Sequence, residues 1–203
     1  MQLLIDSDVF CKLGITGLLE DAIAILGASP ALSGRLPALP HMLRRGRLVR
    51  TYGEETCGKL LALTDTIPPI PAPDPTWLEK TAHVSSIDPG EAQIFASAAA
   101  DGLLVLTGDK RALFALKDIS GFEVALAGRI VVFEALLLAL CGKLGSDEVS
   151  RRLQPLISTD KTLRVCFSED GTDPREGLLS YFRSLVTEAT PLLLWQPPLG
   201  GTE

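Results

Sequence analysis

The stretch Asp88 to Asp109, DPGEAQIFASAAADGLLVLTGD, decides the fold. Asp88-Pro89-Gly90-Glu91 opens a helix, with Asp and Glu three positions apart as in a capping box. Ala92, Ala96, Ala98, Ala99 and Ala100 carry that helix, since alanine has the highest helix propensity, and Gly102 closes it. Leu103 to Leu106 follows as an apolar run without alternation, the pattern of a strand covered on both faces. Thr107-Gly108-Asp109 marks the C-terminal end of that strand, and Lys110 to Leu116 reads as a short helix. A helix followed by a buried strand is the repeating unit of a parallel βαβ sheet.

The flanking sequence fits the same sheet. Leu3-Leu4-Ile5 is a second buried strand, ending in Asp6 and Asp8, and Leu13 to Leu26 reads as helix with Gly27 as its cap. Pro30 to Pro40 is a loop or short edge segment. Glu54 to Leu63 reads as helix, and after the proline-rich connection Pro68 to Pro75 the pair Asp74-Pro75 starts another, reaching about Val84. Arg129 to Phe133 is a further strand, leading into the apolar helix Ala135 to Leu144. Beyond Gly145 the texture changes: Asp147 to Ile157 reads as helix, Leu163 to Phe167 as strand, and Asp173-Pro174 begins a helix that Pro191 ends. The expectation is an α/β fold, three layers α/β/α around a mostly parallel sheet, over residues 1–143. A C-terminal α/β extension over 144–203 is left three roles: extending the sheet, forming a lid, or touching a second copy in a homodimer.

At 203 residues, 46% hydrophobic and 22% charged, the chain is long and apolar enough for one domain with an appended segment. A net charge of −6 argues against a general nucleic-acid binder, which needs concentrated Lys and Arg, but leaves room for a local basic face. The longest apolar run, Ile130 to Cys141, is interrupted by Glu134 and too short to span a bilayer. With no secretory signal visible at the start, a cytoplasmic protein without a membrane partner is expected. Cys11, Cys57, Cys141 and Cys166 lack the paired spacing of a zinc site and read as free, buried thiols.

The chemistry follows from where the acids fall. In an open parallel sheet, functional groups collect outside the carboxyl ends of the strands, where strand order reverses. Asp6 and Asp109 each stand directly after a buried strand, and Glu91 stands in the first turn of the helix leading to the second of them. Two unit charges about 4 Å apart repel by roughly 1 kcal/mol in water and about 4 kcal/mol near a protein surface. A hard divalent cation, Mg2+ or Mn2+, would offset that repulsion with oxygen ligands and could activate water against a phosphodiester.

Three ordered motifs carry a resemblance: Leu4-Ile5-Asp6-Ser7-Asp8, then Asp88-Pro89-Gly90-Glu91-Ala92-Gln93, then Leu106-Thr107-Gly108-Asp109-Lys110-Arg111-Ala112. Over residues 1 to 143 the chain resembles the PIN-like domains, metal-dependent ribonucleases that include many bacterial toxins. The resemblance implies Asp6, Glu91 and Asp109 as catalytic acids, with Asp8 joining them as a ligand of Mg2+ or Mn2+. It implies RNA as substrate and, for toxins of the family, an antitoxin or other regulatory protein as partner. One departure stands out, because the family usually supplies another acid before the Gly-Glu motif. From Ala22 to Gly53 this chain has no Asp or Glu; Glu54, Glu55 or Glu134 are the available substitutes.

The same acid-free segment carries Arg35, Arg44, Arg45, Arg47 and Arg50. Of these Arg44, Arg45 and Arg47, with Lys110 and Arg111, are candidates to meet RNA phosphates; a solvated face is the plainer alternative. Plainer readings exist for the acids too, since Glu91 completes a capping box, Asp109 can cap the helix after it, and Asp8 can serve the first helix. Two rival functions remain: a PIN-like fold that binds RNA or protein without catalysis, and a haloacid-dehalogenase-like phosphatase. The phosphatase fits less well, with Phe10 where Thr or Val is expected and Leu113 and Phe114 where a further Asp is expected.

Overall fold

The computed structural model describes residues 1–167 and 173–198. β1 (Leu3–Ile5), with every side chain fully buried, lies inside a four-stranded, all-parallel sheet. The other strands are β2 (Ser33–Arg35), β3 (Leu104–Thr107) and β4 (Ile130–Val132), in the order β2-β1-β3-β4. Leu3 pairs with Leu104 and Ile5 with Leu106, so Asp6, just past β1, lies beside Thr107, the last residue of β3, at the carboxyl edge. The chain leaves β1 for β2 on one side and later returns to place β3 on the other. The gap between the ends of β1 and β3 is therefore the topological switch point, where such sheets form a crevice.

The helices are α1 (Ser7–Thr16), α2 (Leu19–Ile25), α3 (Leu39–Arg44), α4 (Arg47–Tyr52), α5 (Glu54–Thr64), α6 (Pro75–Thr81), α7 (Pro89–Asp101), α8 (Lys110–Leu116) and α9 (Phe122–Ala125). They continue with α10 (Phe133–Leu144), α11 (Ser146–Ile157), α12 (Lys161–Cys166) and α13 (Pro174–Ala189). The Ala-rich α7 lies against β1 and β3, with α6 and α9 beside it. The opposite layer is built from α1 and α10, backed by α2, α11 and α13. This is the three-layer α/β/α arrangement that the sequence led us to expect.

Two elements differ from the sequence reading, while the loop or edge segment expected over Pro30 to Pro40 does contain the edge strand β2. The helix expected over Leu13 to Leu26 begins at Ser7 and is cut in two at Gly17, whose φ of 67° lets its N–H close α1 on Gly14 and Leu13 carbonyls. Pro30 to Pro40 holds a 3-10 turn, the edge strand β2 and the start of α3. Leu163 to Phe167 is not a strand: Asp160 accepts from the backbone N–H groups of Thr162 (2.9 Å) and Leu163 (3.1 Å) and so caps α12. Leu163 and Cys166, three residues apart, then share its buried face.

Among its described residues the C-terminal segment is thus built of α11, α12 and α13, and its end, past Ala189, pairs with the sheet. Trp195 N–H donates to Ile130 O at 2.8 Å and Gly128 N–H to Leu193 O at 2.7 Å, covering the open edge of β4. The other edge is covered by Pro68 to Ile70, which exchange backbone bonds with Arg35. Covered edges do not recruit foreign strands. In α10 every residue from Phe133 to Cys141 is buried, with Glu134 the one charged side chain among them, and a helix apolar on nearly every face needs cover on all sides. Leu153 and Leu156 of α11 and Leu178, Phe182 and Leu185 of α13 supply that cover, in the same continuous core as the sheet. All four cysteines are free and buried, and among the described residues no helix is long and apolar enough to cross a membrane.

Candidate active site

A cleft of about 340 Å³ opens at the switch point, lined by Asp6, Ser7, Asp8, Asp88, Glu91, Gly108 and Asp109, with Arg47 and Arg111 among the remaining lining residues. The sheet and helix starts explain the gathering. Asp6 and Asp8 follow β1, Gly108 and Asp109 follow β3, and Asp88 and Glu91 form the first turn of α7. Gly108 allows a close approach: a Cβ there would lie 3.3 Å from Val9 Cγ2 and 3.7 Å from Asp8 Oδ2.

The acids differ in what already occupies them. Asp6 holds the N-cap position of α1, yet its carboxylate makes no cap bond. Burial, then the charge of Asp8, push its pKa up to about 7 against the opposing pull of the Ser7 and Asp8 N–H groups. Glu91 completes the capping box: Asp88 N–H donates to its Oε2 at 2.7 Å, and Asp88 Oδ1 accepts from the N–H groups of Gly90 and Glu91, both at 2.8 Å. Glu91 nonetheless lines the cleft, and burial, helped by Asp88, Asp109 and Asp6, raises it to about 7 against the opposing pull of the Asp88 N–H.

Asp109 caps α8, accepting from Arg111 N–H at 2.8 Å and Ala112 N–H at 3.2 Å. Arg111 also reaches back to it with a 2.9 Å ion pair. Burial alone would raise Asp109, but the Arg111 guanidinium and the two N–H donors hold it below the usual carboxylate range. Asp8 is half-buried and pairs with Lys12 at 2.9 Å.

The substitutes for the missing acid do not join the cleft. Glu54 and Glu55 stand exposed at the start of α5, and Glu55 pairs with Lys59. Glu134 is buried but meets Lys110 at 3.0 Å, in a separate cavity of about 40 Å³ with Lys12, Asp160 and Thr162; Gly108 lines both that cavity and the cleft. Lys110 also donates to Tyr181 and, at 3.4 Å, to Thr162, so it faces away from the acids. Arg44 and Arg45 are exposed at the end of α3, Arg35 is turned to the carbonyls of Thr64 and Leu36, and only Arg47 of that run lines the cleft.

Asp88 is the fifth carboxylate, which sequence reading assigned only to a cap. Its signal was adjacency, since an N-cap three residues before Glu91 lies on the same turn. Ser7 was also missed: it is 7% exposed, lines the cleft, and its Oγ has no hydrogen-bond partner. Beyond Ser7 the groove continues over Leu36, Pro37, Ala38, Met42 and Gln93.

Among the described residues, no three acid, histidine or cysteine side chains converge closely enough to ligate one ion. The donor set still suits a hard cation that keeps several waters and takes one or two carboxylates. Asp6 makes no cap bond, Asp8 lies beside it, and Ser7 contributes an unpartnered hydroxyl. No family model, curated protein or solved structure matches the chain.

Proposed function

We propose that the chain is a metal-dependent ribonuclease of the PIN-like type, hydrolysing phosphodiester bonds of single-stranded or structured RNA in the cleft between β1 and β3. The observation that carries this reading is the lining of one cleft by five carboxylates from three separate elements, Asp6, Asp8, Asp88, Glu91 and Asp109. Desolvation and the like charge of Asp8 push the Asp6 pKa up to about 7, and a divalent cation bound there would offset both.

Asp6 and Asp8 would hold Mg2+ or Mn2+. The bound ion would supply charge neutralisation and an activated water. Arg47 and Arg111 stand on the cleft wall where they can bind phosphate oxygens, as guanidinium groups do. Glu91, near neutrality at pH 7, can accept or return a proton at its carboxyl oxygens. Asp109 steers Arg111 through their ion pair.

A second reading is a PIN-like module that binds RNA or a protein partner, such as an antitoxin, without turnover. It is favoured by the fact that Glu91 and Asp109 already spend oxygens on helix caps. The test is hydrolysis of a labelled RNA with Mn2+ or Mg2+. Wild type is expected to cleave and Asp6→Asn to lose all activity. RNA binding without cleavage, equal in both proteins, selects the silent module. No divalent-ion binding and no RNA binding sinks both.

A further inference from the structure

Lys12 stands four residues after Asp8 on α1, so the two share a face and would pair in any such helix. Left alone, that pair would neutralise Asp8 and set an ammonium group against any cation approaching the cleft. The C-terminal segment changes the arrangement. Asp160, 148 residues further on, accepts from the same Lys12 Nζ at 2.8 Å, a shade closer than Asp8 at 2.9 Å. The Lys12 and Asp160 side chains are both 17% exposed, whereas Asp8 is 42% exposed, so the tail partner is the better shielded of the two.

Asp160 is itself held still. Its Oδ1 caps α12 through Thr162 and Leu163, while Oδ2 takes Lys12. The ammonium group lies 5.4 Å from the centre of the Phe133 ring, which favours a retained charge. Lys110, the neighbour across the same small cavity, is likewise anchored away from the cleft, by Glu134 and by Tyr181 of α13. Both lysines beside Gly108 are thus drawn to the tail side of that turn.

We propose that Asp160 is a positioning residue for the cleft: it retains Lys12 when Asp8 turns to a divalent cation, so the C-terminal helices supply the counter-charge that keeps Asp8 available as a ligand. This rests on the reading of Asp6 and Asp8 as cation ligands and gives the segment after residue 143 a part in the site. A cation with two acceptors can lose one without being stranded, whereas Lys12 with Asp8 alone could not. Removal of such supporting partners weakens metal binding by about 10-fold or more.

The experiment titrates the full chain with Mn2+ by electron paramagnetic resonance, alongside thermal unfolding without metal. Asp160→Asn keeps an equally good helix cap, so α12 stays formed. It is expected to bind Mn2+ about 10-fold more weakly than wild type at an unchanged melting temperature. In Lys12→Met/Asp160→Asn both charges are gone, and affinity returns to near the wild-type value. Wild-type affinity in Asp160→Asn, or an equally weak double variant, overturns the proposal while leaving the cation site standing. A lowered melting temperature with unchanged affinity also overturns it, as a purely structural role. A wild type that binds no Mn2+ removes the cation reading and the proposal with it.

Discussion

Two clusters of charge face each other across Gly108, and they are built on opposite terms. The cleft gathers five carboxylates against the two arginines on its wall, and its buried Ser7 hydroxyl has no partner. The small cavity behind it sets Lys12 and Lys110 against Asp160 and Glu134, charge for charge, with Thr162 and Tyr181 satisfying what remains. A closed, balanced network is what a structural role produces, because an unpaired buried charge is expensive. An open, unbalanced one persists where something not made of protein completes it. Breaking Lys110–Glu134 should therefore harm the fold, whereas Lys12 keeps Asp8 when Asp160 is lost, and removing an acid from the cleft should help the fold.

The largest effect is expected behind Gly108. Glu134→Leu leaves Lys110 without its carboxylate in a mostly buried position, and breaking one side of such a pair costs about 3 kcal/mol. Urea unfolding at pH 7 measures it. A loss well under 1 kcal/mol would mean that Tyr181 and Thr162 alone satisfy Lys110, and that the balance has no structural weight.

The opposite sign is expected in the cleft. Asp6 and Glu91 both bind their protons more tightly folded than unfolded, with values near 7. The stability linked to them is complete below the unfolded value near 4 and is lost as pH rises through about 7. Without divalent ion, the melting temperature should fall between pH 5 and pH 8. Asp6→Asn should unfold at higher urea than wild type at pH 8, by about 2 kcal/mol, and no differently at pH 4; the rise to about 7 sets a ceiling of roughly 4 kcal/mol. Added Mn2+ should stabilise wild type and leave Asp6→Asn unmoved. A variant less stable than wild type at pH 8 would contradict an unbalanced cleft.

How far these two clusters could be read from the sequence depends on the range of the contacts that make them. Asp6 and Asp109 were legible because a buried strand ends at each, and the Glu91 cap because Asp88 and Glu91 have the spacing of a capping box. The Lys12–Asp160 pair was not, since partners 148 residues apart leave no local spacing to find. The strand read at Leu163 to Phe167 failed for a related reason. Five residues with four apolar side chains around Arg164 fit either period, and the deciding feature is the cap from Asp160. The arginine run was visible as a run, but its geometry was not. α3 ends at Arg44, Gly46 turns the chain at a φ of 101°, and of Arg44, Arg45, Arg47 and Arg50 only Arg47 lines the cleft.

That geometry yields the smallest and most discriminating effect, between the two arginines of the cleft. Arg47 stands on α4, whereas Arg111 is tied to Asp109 through its guanidinium. If both meet RNA phosphates, Arg47→Ala and Arg111→Ala should each weaken binding a few-fold. Each should also reduce the slope of log K against log salt by about 1, the share of one phosphate contact. Arg111→Ala should do something more. With the guanidinium gone, the Asp109 carboxylate keeps only the two backbone N–H donors, and its pKa should rise, shifting the acid limb of the pH profile for RNA cleavage upward. Arg47→Ala should leave that limb in place. Fluorescence anisotropy at several salt concentrations, with a pH series on cleavage, separates the outcomes. Equal pH profiles for the two variants would show that the Arg111–Asp109 pair merely closes the end of α8 and that the imbalance of the cleft is carried by Asp6 and Asp8.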